Sequence, residues 1–107
     1  MAKKSTDGLY EVVWPSGERK QKLRPLAKRL DTLSGKTVAQ LWDYLFAGDA
    51  VFAELEDCLR ERYPDVKFVS WREFGSTHAV GEKELLASLP QRFKELGVDA
   101  AISSMAC

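Results

Sequence analysis

One stretch near the end of the chain constrains its fold more than any other. Val98-Asp99-Ala100-Ala101-Ile102 is apolar but for Asp99, and it follows a helical segment closed by Gly97. Such a run, placed after a glycine-terminated helix, reads as a buried strand of a parallel α/β sheet. Open α/β sheets hold their chemistry just beyond the carboxyl ends of the strands. Ser104 and Cys107 fall at that position. A chain of this class normally turns next into a helix whose N-terminus points at the site. Here Cys107 is the last residue of the sequence.

The rest of the chain repeats the pattern upstream. Tyr10 to Trp14 has strand propensity, Pro15-Ser16-Gly17 is a turn signal, and Glu18 to Lys22 reads as a polar return strand. These residues predict a short N-terminal hairpin. Arg24 to Leu30 is a connector with apolar residues suited to lying against the domain. We place an N-terminal extension at 1–32 and an α/β domain at 33–107. Thr37 to Trp42 is the first strand and Val66 to Trp71 the second. A helix is predicted over about 50–63, with Asp49 as its N-cap and Val51, Phe52, Leu55, Leu59 and Tyr63 on one face. A second helix is predicted over about 82–96, with Leu85, Leu86, Leu89, Phe93 and Leu96 inward. Pro90 interrupts it, which predicts a kink or break near Ser88. The sum is β-α-β-α-β. Right-handed crossovers place the first strand between the other two, in order 2-1-3, with three layers resembling half a Rossmann fold.

Composition narrows the function. The chain has 107 residues, one domain at most. Sixteen basic and sixteen acidic residues cancel, so the electrostatic signature of a nucleic-acid binder is absent. No segment approaches the length of a membrane span. The start Met1-Ala2-Lys3-Lys4-Ser5 carries charge but no apolar run follows, so no signal peptide is read there. Two cysteines, Cys58 and Cys107, are too few for a disulfide scaffold. These features predict a cytoplasmic protein with reduced thiols. There is no G-x-G-x-x-G and no P-loop, and one histidine with no zinc-spaced cluster argues against a metal site. No cofactor is predicted.

In the 2-1-3 order three loop ends converge. They bring Asp43 and Tyr44 after strand one, Ser76, Thr77 and His78 after strand two, and Cys107 after strand three. A thiol, an imidazole and a carboxylate make a nucleophile, a base and an orienting group. Cys107, His78 and Asp43 are therefore the candidate catalytic residues. Tyr44, Ser76, Thr77 and Ser104 are the candidate substrate-binding residues. Each has a plainer reading. Cys107 then packs at a strand end, His78 is solvated, and Asp43 caps its loop. Cys58, beside the apolar stripe of the first helix, reads as packing. Trp42, Tyr44 and Phe46 read as packing before they read as a stacking platform.

Four stretches also resemble a known family. They are Arg29-Leu30-Asp31-Thr32-Leu33-Ser34-Gly35-Lys36-Thr37-Val38, then Trp42-Asp43-Tyr44-Leu45-Phe46-Ala47-Gly48-Asp49, then Phe74-Gly75-Ser76-Thr77-His78, and Asp99-Ala100-Ala101-Ile102-Ser103. Together they are similar to the Sec-Gly-Ser-Cys (UGSC) family of selenocysteine or cysteine proteins, over about residues 25–107. The second and third stretches are the specific ones. The resemblance implies a third strand leading into the Sec/Cys-Gly-Ser-Cys motif, then a helix and the rest of the sheet. It also implies an architecture like that of aspartate/glutamate racemases, with cysteines acting at strand ends. Cys107 aligns at, or one residue before, the first position of the motif, and Gly-Ser-Cys does not follow. That departure predicts either a chain ended at a selenocysteine codon or a natural split into two subunits.

Two functions follow as expectations. One is the N-terminal portion or small subunit of a thiol- or selenol-dependent enzyme, completed by a second chain and acting on a small molecule. The other is a non-catalytic assembly subunit that completes a partner's sheet. Either way the third strand lies at an edge, without proline or lysine to discourage pairing. It predicts a second subunit or a homo-oligomer joined there. With its terminal carboxylate opposing ionisation, Cys107 is expected to be a poor nucleophile in this chain alone.

Overall fold

The structure is a computed structural model, and it describes residues 12–17 and 21–104. Its regular elements are β1 (Thr37–Trp42), α1 (Gly48–Arg62), β2 (Lys67–Val69), a single 3₁₀ turn (Trp71–Glu73), α2 (Glu82–Glu95) and β3 (Ala100–Ser104). The three strands form one parallel sheet in the order β2-β1-β3. This is the predicted α/β topology. Thr37 faces Lys67 and Ala39 faces Val69 across one ladder, and Val38 faces Ala100 and Trp42 faces Ser104 across the other.

β1 is the centre of the molecule because it is paired on both edges and covered on both faces. Every residue from Val38 to Trp42 is buried. Side chains alternate along a strand, so its odd and even positions serve different layers. Ala39 and Leu41 pack with Phe74 and with Leu85, Leu89 and Phe93 of α2. Gln40 points the other way and donates from Nε2 to Glu56 Oε1 on α1 at 2.7 Å. On that same side Phe52 of α1 is almost fully buried. The helices thus cover opposite faces, which makes three layers.

Side chains at the amino ends of the strands lock the register. Asp99 Oδ2 accepts from Thr37 N, and Asp99 N donates to Thr37 O, each at 2.9 Å. That pairing explains the one polar residue in the final apolar run. Gly35 takes φ +68 in the turn before β1, a backbone state glycine enters without steric cost. Beside it Ser34 Oγ lies 2.8 Å from both carboxylate oxygens of Asp65. The Ser34 hydroxyl holds the Asp65 carboxyl below its ordinary value of 3.8, with backbone N–H groups and Lys67 adding to the effect. A depressed folded value stabilises the fold above the unfolded pKa, and that contribution is lost as pH falls through the folded one. Melting curves of the parent and Asp65→Asn should therefore differ by a constant amount above pH 3.8 and converge below it. A difference that does not change with pH would separate Asp65 from this role.

Several local expectations are corrected. β2 is shorter than predicted because Ser70 Oγ accepts from Arg72 N at 3.3 Å and turns Trp71 into the 3₁₀ segment. α1 starts at Gly48, and its Ala47 N-cap has no side-chain bond, so Asp49 sits in the first turn and does not cap it. α2 runs unbroken through Pro90, which lies on its exposed side. β3 begins two residues later than predicted and reaches Ser104. Cys58 is exposed, one step off the buried stripe of α1. Residues 10–11 and 18–20 of the expected hairpin lie outside the described residues, and neither 12–14 nor 21–22 is in a strand. Leu26 and Leu30 of the connector are exposed. No helix among the described residues is long and apolar enough to cross a membrane.

Candidate functional site

The loops that follow β1 and β2 meet at the carboxyl end of the sheet. The β2 loop turns back and continues the ladder beside β1. Ser76 forms a parallel bridge with Trp42, and Thr77 N donates to Trp42 O at 3.0 Å. Ser76 Oγ donates to Asp43 O at 3.2 Å and accepts from His78 N at 3.2 Å. One hydroxyl therefore ties the two loops together and sets the backbone of His78. On the other edge of β1, Ser104 is the register partner of Trp42. The structure thus gathers Asp43, Tyr44, Ser76, Thr77, His78 and Ser104 at one sheet end. Cys107, three residues beyond Ser104, lies outside the described residues.

The individual roles are more constrained than the sequence suggested. Asp43 Oδ1 accepts from Leu45 N at 3.0 Å, so its carboxylate shapes its own loop. The His78 side chain is exposed. Among the described residues no hydrogen bond or ion pair joins it to Asp43. Of the aromatic trio, only Trp42 is buried. Its Nε1 donates to Leu45 O at 2.9 Å, and its ring lies 4.8 Å from Tyr44 and 4.7 Å from Trp71, centroid to centroid. Tyr44 and Trp71 are 5.5 Å apart.

The β1 loop is also strained. Tyr44 has φ +63 and Phe46 φ +56. A bulky residue in the left-handed region costs about 1–3 kcal/mol, and such residues gather at functional sites. The loop then closes tightly onto α1, because Gly48 lies directly under the indole of Trp42.

Two residues here were not singled out in the sequence. Gln40 is only 2% exposed. It donates to Glu56 and accepts from Trp71 N at 3.4 Å, fixing α1 and the 3₁₀ turn to the central strand. A glutamine amid the apolar residues of β1 was the available signal. Arg72 is the other, with its guanidinium carbon 4.3 Å from the centre of the Trp71 ring. The adjacent Trp-Arg pair carried no periodic signal. Among the described residues no group of three or more His, Cys, Asp or Glu is placed to hold a metal ion.

A family model described as the UGSC family matches residues 11–107. No curated protein and no solved structure matches the chain.

Proposed function

This chain belongs to the UGSC family, and on that premise we propose that it is the N-terminal portion or small subunit of a thiol- or selenol-dependent enzyme. The observation that carries this reading is the convergence of the β1 loop, the β2 loop and the end of β3 on one sheet end. Cys107 supplies the nucleophile, three residues beyond Ser104. His78 takes the thiol proton, on a loop whose backbone Ser76 holds in place. Asp43 keeps the β1 loop in shape and lends negative charge to the same end. Tyr44, Ser76, Thr77 and Ser104 line the place of a small-molecule substrate. We further propose that residues 33–107 form the folded domain, that residues 1–32 are an extension to it, and that the protein works in the cytoplasm.

A second chain or a second copy completes the site in this proposal. Ala101 and Ser103 are exposed, so one face of the edge strand β3 is uncovered. Among the described strands β3 pairs with β1 alone, and an edge strand without proline or lysine favours further pairing. The same observation supports the second reading, a non-catalytic subunit that only closes a partner's sheet.

Thiol titration separates the two. Alkylation of Cys107 by iodoacetamide is followed against pH in a Cys58→Ser background, on the assembled species isolated by sedimentation. A catalytic thiol beside an imidazole should titrate well below the free value of about 8.5. A midpoint at or above that value in the assembled species leaves only the non-catalytic subunit.

A further inference from the structure

We propose that the carboxyl end of the sheet recognises a small aromatic carboxylate, with Arg72 binding the carboxylate and Tyr44 and Phe46 receiving the ring. This rests on reading that end as the substrate site, but it makes no use of the thiol.

Arg72 is set up as an anion receptor. Its guanidinium stacks on Trp71 at 4.3 Å. Stacking fixes the plane of the fork and leaves the in-plane N–H donors available for two parallel bonds to a carboxylate. Other stacked arginines have local partners. Arg60, over Phe68, pairs with Glu56 at 2.9 Å. Arg92, over Phe74, donates to Glu73 O. Arg62, near Tyr63, lies in the last turn of α1, where helix carbonyls attract a cation. Arg72 is exposed, and no carboxylate among the described residues pairs with it.

Folding uses only part of the aromatic surface beside it. Trp71, under Arg72, touches Tyr44, so the cation and the β1 loop share one cluster. Tyr44 is 46% exposed and Phe46 77% exposed. Both hold left-handed backbone that glycine would adopt without strain. Phe46 therefore carries strain without burying its ring. Aromatic rings left exposed on a strained loop whose Tyr44 contacts Trp71, with the Arg72 guanidinium stacked on that same Trp71, match a ligand with a flat apolar body and one negative charge.

The probe is sodium benzoate, added to the full chain. Binding is read from the indole N–H signals of Trp42 and Trp71, with that of the exposed Trp14 as internal reference. Saturable shifts at Trp42 and Trp71 are expected, with acetate and benzamide weaker by about tenfold or more, since each lacks one recognised feature. Arg72→Gln should weaken benzoate by at least about tenfold, and Arg72→Lys should retain part of the affinity. Phe46→Gly should weaken binding while leaving the melting temperature unchanged or raised, a split that a structural role for Phe46 would not produce. The proposal is overturned if benzoate gives no saturable shift. It is equally overturned if Arg72→Gln binds as well as the parent, or if inorganic phosphate binds as tightly as benzoate. None of these outcomes touches the Cys107 titration, so the thiol reading and this one fail separately.

Discussion

Gly48→Ala should destabilise the protein by about 3 kcal/mol, although alanine is the better helix former. Gly48 is the first residue of α1, so alanine there gains at most the about 0.5–1 kcal/mol of a helix interior. Here a Cβ on Gly48 would stand 2.2 Å from Trp42 Nε1, 2.4 Å from Cε2 and 2.6 Å from Cδ1. The indole has little room to retreat. It is bonded to Leu45 O, and Tyr44 and Trp71 press on it. Its backbone lies in the central strand, paired on both sides. Overpacking a rigid site costs about 1–3 kcal/mol, and the overlap here belongs at the top of that range. In a domain of this size that lowers the melting temperature by more than about 10 °C. Calorimetry of Gly48→Ala reads it directly. A second variant, Trp42→Leu with Gly48→Ala, should recover part of the loss, because the two residues share one contact. A rise in melting temperature for Gly48→Ala alone would show that the helix start does not rest on Trp42.

His78→Ala should separate function from folding. Among the described residues the hydrogen bond of this residue is made by its backbone, His78 N to Ser76 Oγ, which alanine keeps. The imidazole is exposed. Removing it should change stability by less than about 0.5 kcal/mol. If His78 accepts the thiol proton, as proposed, its removal takes away the base. Loss of a positioned base costs about 10²–10⁴-fold in rate. The check pairs a melting curve with the alkylation rate of Cys107 near neutral pH in the assembled species. An unchanged melting curve with a slow thiol is the expected pair of results. A thiol as fast as in the parent protein would remove His78 from the site. A large fall in melting temperature would mean that the ring packs in the assembly, and the rate would then carry no information about a base.

The elements of the fold were legible because they depend on local pattern and burial. β1 runs Thr37–Trp42 as predicted, since a strand covered on both faces is apolar nearly throughout. Apolar residues at helical spacing marked α1 and α2, and the order expected for handed crossovers between parallel strands is the one present. The convergence of the loops followed from that order. The Trp42–Asp49 and Phe74–His78 stretches also resembled the family whose model matches residues 11–107.

Tertiary structure decided everything that depends on which distant side chains meet. Asp99 was visible as a polar exception, but only its bonds to Thr37 make it a register lock. Gln40 is tolerable in the core because Glu56 and Trp71 N satisfy it. Cys58 is exposed through a rotation of one residue about the axis of α1, which a pattern of period 3.6 does not resolve. Asp43 is held by Leu45 N, and Arg72 is stacked on its neighbour Trp71. Periodicity in a sequence reports which face of an element is buried. It carries no information on the partner that buries it, because that partner comes from another part of the chain.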